Sequence, residues 1–107
     1  MKIQDLDFNK GNGLIPVIVQ DASTKDILMF GYADREAVEK TVETHYTHLW
    51  SRSRKTLWKK GETSGNVQEV KDILVDCDED TLVYVVKPHG PACHTGNRSC
   101  FYRKLDI

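Results

Sequence analysis

At 107 residues the chain suits one domain, with 39% hydrophobic and 29% charged residues and a formal net charge of −1. These values exclude long disorder, a global basic field directed at nucleic acid, and any apolar run near the roughly 20 residues that span a bilayer. A chain of this size buries roughly 65% of its unfolded surface, which supports a core with little margin, so a partner subunit or a bound metal would help.

Leu14 to Val19 is a short apolar, β-branched run and reads as a buried strand, with Pro16 placing it at an edge or a bulge. Asp21 to Asp26 is turn chemistry, and Ile27 to Phe30 then completes an antiparallel hairpin. Asp34 can cap a helix over residues 34–45, with Glu36 in its first turn and Ala37, Val38 and Val42 at helical spacing. Thr47 to Ser51 and Thr56 to Trp58 are strand-like pieces around the basic turn Arg52 to Lys55, and Gly61 to Asn66 is a loop. Val67 to Val75 and Thr81 to Val86 predict two more strands, separated by Asp76 to Asp80. Pro88 to Ser99 is a loop, and Phe101-Tyr102 a last short strand. One helix among about seven strands predicts an α+β fold, mostly antiparallel sheet, in a single domain over residues 1–107.

Three constellations carry chemistry. In Asp76-Cys77-Asp78-Glu79-Asp80, four acids crowd around a cysteine. Extended backbone would put Asp76, Asp78 and Asp80 on one face and Cys77 on the other. Carboxylates suit a hard cation such as Mg²⁺, and a thiolate suits Zn²⁺. An EF-hand reading fails, because the sixth loop position is Thr81 and the twelfth is Lys87. A solvated acidic turn is the bland alternative.

The second is Cys93 to Cys100. Three cysteines in a chain whose polar start, Met1 to Gly13, has no signal-peptide core argue against a disulfide framework and for a cytoplasmic protein. Without a C-x₂-C knuckle, a zinc finger or ribbon is disfavoured. Three thiolates from Cys77, Cys93 and Cys100 would leave a tetrahedral Zn²⁺ one open position, as catalytic sites do. His94, beside Cys93, is the candidate proton carrier. The blander fates are a small buried hydrophobe for each cysteine and a surface residue for His94.

The third runs from Trp50 to Gly65. Arg52, Arg54, Lys55, Lys59 and Lys60 hold a third of the positive charge, with Ser, Thr and Gly donors between them. Trp50, Arg52, Ser53, Arg54, Lys59, Glu62 and Ser64 are the candidate substrate contacts, and Trp50 and Trp58 could stack on a base. A small phosphorylated ligand fits better than single-stranded nucleic acid, because the rest of the chain offsets the patch charge. A zinc deaminase is excluded by the missing His-x-Glu and Pro-Cys-x-x-Cys motifs.

Together and in this order, Trp50 to Gly65, Asp76 to Asp80 and Cys93 to Arg103 resemble the signature segments of the phosphoribosyl-AMP cyclohydrolase family, and the likeness runs from about Leu14 to Arg103. The resemblance implies a homodimer of small sheet-rich subunits. It implies hydrolysis of the purine N1–C6 bond of 1-(5-phosphoribosyl)-AMP, which is the third step of histidine biosynthesis. It implies Zn²⁺ on Cys77, Cys93 and Cys100 and Mg²⁺ on Asp76, Asp78 and Asp80. It also implies a zinc site shared between subunits, and spacing supports that: a strand separates Cys77 from Cys93. Some members carry a fused pyrophosphohydrolase domain; with this chain stopping at Ile107, that activity is expected elsewhere.

Overall fold

A computed structural model describes every residue, Met1–Ile107. Six strands and one helix follow two short 3₁₀ turns, Ile3–Asp5 and Asn9–Gly11. They are β1 (Ile15–Asp21), β2 (Ile27–Ala33), α1 (Arg35–Thr44), β3 (His48–Ser51), β4 (Thr56–Lys59), β5 (Gln68–Val75) and β6 (Leu82–Pro88). The strands form one sheet in the order β4-β3-β2-β1-β6-β5. The sheet is mixed, because β1 runs parallel to β6 while the other neighbours are antiparallel. At one end it curls back on itself. Thr47 donates its N–H to Gln68 O (3.1 Å) and Val70 donates to His45 O (2.7 Å), which ties the start of β5 to the segment entering β3.

Alternation builds the core. Ile15, Val17 and Val19 of β1 and Leu82, Tyr84 and Val86 of β6 are all fully buried, the period-two pattern of strands with one covered face. The helix α1 lies over that face. Asp34 Oδ1 accepts the Ala37 N–H at 2.8 Å, which caps the helix start, and His45 ends it in the left-handed region at φ 64°. The helix buries Ala37, Val38 and Thr41, whereas Val42 is about half exposed. The apolar stripe therefore lies one residue earlier than the sequence pattern implied. Thr41 tolerates burial because its hydroxyl donates to Ala37 O at 2.8 Å and accepts from His48 N at 3.0 Å. No helix is long and apolar enough to cross a membrane.

Two expectations need correcting. Pro16 lies neither on an edge strand nor at a bulge. It sits in central β1 opposite Tyr32, and pairing with β6 begins only at Val17↔Leu82. The irregularity in β1 falls instead between Val19 and Gln20. Phe101-Tyr102 forms no strand; residues 101–107 are exposed and without regular structure. The chain is last held to the sheet by Cys100 N donating to Leu28 O at 2.8 Å.

Candidate functional site

The acidic trio lies at the β5–β6 connection. Its carboxylates do converge, with one oxygen from each of Asp76, Asp78 and Asp80 mutually within 4.8 Å. The route differs from the extended backbone expected. The segment is a turn, in which Asp76 Oδ1 accepts the N–H groups of Asp80 (3.0 Å) and Thr81 (3.1 Å) and Glu79 adopts φ 62°. An aspartate that bonds backbone a few residues on is the usual builder of such turns.

Lys10, from the second 3₁₀ turn, extends its ammonium to Asp78 Oδ2 and Asp80 Oδ2, both at 3.2 Å. The hydrogen bond from Lys10 holds the Asp78 carboxyl below its ordinary range. Asp80 is pushed up, chiefly by neighbouring Asp76 and then Asp78. Carboxylates this close repel one another, and a cation relieves them. The donor set fits a hard, oxygen-seeking ion.

Cys93 and Cys100 lie at the opposite end of β6, in the loop that follows it. The loop closes a small hairpin: Ala92 N donates to Arg98 O (3.1 Å) and Cys93 N to Asn97 O (3.2 Å). Cys93 is buried, and Cys100 is exposed. The Thr95 hydroxyl donates to Cys93 Sγ at 3.0 Å, and this contact first of all draws the Cys93 thiol below its ordinary value. Although Cys100 is exposed as a residue, partial desolvation of its thiol, followed by the proximity of Cys93, pushes that thiol up, while the Lys60 ammonium acts to lower both. The hydroxyl donor and the nearby cation favour a thiolate at Cys93, and two sulfur donors side by side suit a soft metal. Cys77 does not join them within the chain, since the acidic trio is the one group of three or more possible ligands that converges. His94 is exposed and makes no side-chain hydrogen bond.

The basic hairpin divides between two clefts. The β3–β4 register pairs Trp50 with Leu57 and Leu49 with Trp58, so the tryptophans point to opposite faces and cannot sandwich one base together. Trp50 and Arg52 line a cleft with Asn12, Gly13, Asp34 and Lys55. The Arg52 guanidinium lies 4.0 Å above the Tyr32 ring, a cation–π contact that leaves its edge free for an anion. Arg54, Lys59, Glu62 and Ser64 line a second cleft with Trp58 and Lys60. Lys59 also covers the Tyr46 ring at 4.8 Å, and Ser64 Oγ accepts the Asn66 N–H at 3.2 Å. Ser53 is exposed at the hairpin tip, with its hydroxyl 3.4 Å from that of Ser51.

The chain belongs to the phosphoribosyl-AMP cyclohydrolase family. The family model of that description matches residues 29–102. The phosphoribosyl-AMP cyclohydrolase of Cenarchaeum symbiosum (strain A) is 56% identical over 97% of this chain and 96% of its own length. That of Archaeoglobus fulgidus is 60% identical over 95% of this chain and 94% of its own length, and that of Lacticaseibacillus casei (strain BL23) 62% identical over 92% and 89%. Cyclohydrolases are hydrolases, and so is this member.

Sequence reasoning missed several members of the site. Lys10 reaches acids some 70 residues away with no local signal. Lys60 was visible only as one charge of the basic hairpin. Asn66 fills the space above Gly90 so tightly that a Cβ there would lie 2.2 Å from its Oδ1. This contact seats the hairpin loop on the segment leading to Cys93; the Gly90 φ of 147° was the only hint, and it is structural.

Asp21 is a buried carboxylate at this end of the sheet. Burial alone would raise its pKa, but the N–H groups of Ser23 and Thr24 and the Arg98 guanidinium together hold it below the ordinary carboxylate value. A carboxyl with a depressed folded-state pKa stabilises the fold above the unfolded value and loses that contribution as pH falls through the folded value. Urea midpoints of the wild type and Asp21→Asn should therefore differ near neutrality, with Asn less stable, and converge below about pH 4. A gap that stays constant with pH would show that Asp21 does not act through its charge.

Proposed function

We propose that the chain hydrolyses the N1–C6 bond of the purine ring of 1-(5-phosphoribosyl)-AMP, opening the ring in the third step of histidine biosynthesis, as a cytoplasmic homodimer. The observation that carries this reading is likeness over almost the whole chain to relatives that bear the cyclohydrolase name. Cys77, Cys93 and Cys100 would hold Zn²⁺, and Asp76, Asp78 and Asp80 would hold Mg²⁺. When bound, zinc supplies hydroxide near neutral pH and magnesium supplies positive charge for phosphate oxygens.

The chain's own residues do the rest. Arg52, with Lys55 beside it, offers donors to one phosphate, and Trp50 lines the same cleft with an aromatic surface. Arg54, Lys59 and Ser64 offer donors in the second cleft, near Glu62. A substrate with two phosphates has a use for two separate basic clefts. His94, exposed beside Cys93, is free to carry the proton that N1 gains as its bond to C6 breaks. The Thr95 hydroxyl, donating to Cys93 Sγ at 3.0 Å, favours the charged form of that thiol.

The shared zinc site is supported by the position of the cysteines. β6 lies between Cys77 and Cys93, and its seven residues span roughly 20 Å at about 3.3 Å each. A two-fold partner can bring its own Cys77 to that far end.

The direct test is to incubate zinc-loaded protein with phosphoribosyl-AMP and follow ring opening by ultraviolet absorbance; no absorbance change would remove the reading. Asn at Asp76, Asp78 or Asp80 should lower activity and the response to Mg²⁺ while zinc content stays unchanged. Loss of zinc in those variants would overturn the separation of the two metals, and an unchanged enzyme would reduce the acids to a solvated turn.

A further inference from the structure

The loop that carries Cys93 and Cys100 is short of regular structure, yet two ligands of one ion must be held at a fixed spacing. Its own backbone hydrogen bonds are few: Ala92 to Arg98, Cys93 to Asn97, and Gly96 N to Cys93 O at 3.0 Å, with side-chain bonds from Thr95 to Cys93 Sγ and from Asn97 to Thr95. What fixes it from outside is the β1–β2 hairpin. Ser99 Oγ donates to Ile27 O at 2.7 Å and Cys100 N donates to Leu28 O at 2.8 Å, at the start of β2.

Arg98 makes the largest set of contacts. Its Nη2 donates to Asp21 Oδ2 (2.6 Å) and to Thr24 Oγ1 (3.0 Å), and its Nη1 donates to Asp26 Oδ2 (2.8 Å). One planar fork thus spans the whole β1–β2 turn. The receiving carboxylate of Asp21 is buried, and its other oxygen is already fixed by the N–H groups of Ser23 (2.8 Å) and Thr24 (3.2 Å). The acceptor is therefore in place before the guanidinium arrives, and little freedom is lost on docking. Two residues beyond this anchor is Cys100. Through its carbonyl, Arg98 also holds Ala92, the residue before Cys93. Both thiols consequently depend on where one guanidinium sits.

We propose that Arg98 is the positioning residue of the Cys93–Cys100 pair, and that its bridge to Asp21, Thr24 and Asp26 sets the geometry with which the two thiolates meet zinc. This rests on the metal reading given above. Arg98 touches neither thiol and is no ligand; its role is to hold the ligands before the ion arrives. Groups that orient metal ligands typically change affinity by roughly 10- to 100-fold when removed. Lysine keeps the charge but not the fork, so it should restore part of the effect only.

The test uses the full chain and reads zinc affinity by competition with a chromophoric chelator, the d–d and thiolate charge-transfer bands of the cobalt-substituted protein, and hydrogen exchange of the backbone amides. Arg98→Ala should weaken zinc roughly 10- to 100-fold, shift the cobalt bands, and speed exchange at Ala92, Cys93 and Cys100 with β1 and β2 unchanged. Arg98→Lys should fall between it and the wild type. Asp26→Asn, at an exposed position with little risk to folding, should move every readout the same way by a smaller amount. Wild-type affinity and cobalt bands in both Arg98→Ala and Asp26→Asn would overturn the role, even if the loop exchanged faster, since that would make the bridge merely structural. Wild-type protein that takes up no zinc would overturn the metal reading and this role together, and that reference titration tells the two failures apart.

Discussion

Mixing Cys77→Ala protein with Cys93→Ala protein should restore activity that neither possesses alone. In a shared-site dimer each zinc takes Cys77 from one subunit and Cys93 with Cys100 from the other. A heterodimer of the two variants then has one site lacking both cysteines and one site lacking none. Random exchange makes half the dimers mixed, so about a quarter of wild-type activity and of wild-type zinc should return in a two-fold assembly. Were all three cysteines contributed by one chain, every site in the mixture would keep a lesion. Absence of recovery with heterodimers proven by mass would defeat the shared site. The family resemblance suggests this expectation, and the distance along β6 supports it, since Cys77 precedes the strand and Cys93 follows its far end.

Two adjacent positions should both lose turnover but differ in bound zinc. Cys93→Ser should abolish bound zinc and turnover together, because a buried thiol that receives the Thr95 hydroxyl and neighbours Cys100 is replaced by a weaker, harder donor. His94→Ala should leave zinc content unchanged, since His94 is exposed and holds nothing in place. It should instead lower kcat more than it changes KM, by the roughly 10²- to 10⁴-fold typical of general acid–base groups, and remove one limb of the pH profile. Metal analysis and kinetics on the two purified variants decide the matter. Full zinc in Cys93→Ser would take that cysteine out of the site, and an unchanged pH profile in His94→Ala would assign the proton to another group or to water.

How much of this was legible in the sequence depended on the range of the interaction. The helix was readable because its cap is local: Asp34 bonds an amide three residues on. The β1–β2 turn was readable for the same reason, as Asp21 serves the amides of Ser23 and Thr24. The convergence of the acidic trio was anticipated, but by the wrong backbone, because alternation assumes a strand where Asp76 in fact folds a turn. Pro16 was misplaced because the rule considers a strand paired along its full length, whereas pairing on the β6 side of β1 starts one residue later. The tryptophans were joined in one site because their opposite faces depend on the β3–β4 register. Lys10 on Asp80 and Arg98 on Asp21 lie about 70 and 77 positions apart, and no local pattern announces such pairs.

The single parallel seam of the sheet shapes how the chain reaches this structure. Each of the pairs β1–β2, β3–β4 and β5–β6 joins neighbours in sequence and can close early, at small entropic cost. Val17 against Leu82 and Val19 against Tyr84 join the first hairpin to the last. On a ribosome, β1 must wait with one side unpaired until β6 has emerged. The same closure brings Ala22 N onto Val86 O at 2.8 Å and carries the cysteine loop to the β1–β2 turn. The end of the chain that carries Cys93 and Cys100 is therefore among the last parts to form, and on the zinc reading proposed above a slow step in refolding should delay zinc uptake rather than secondary structure.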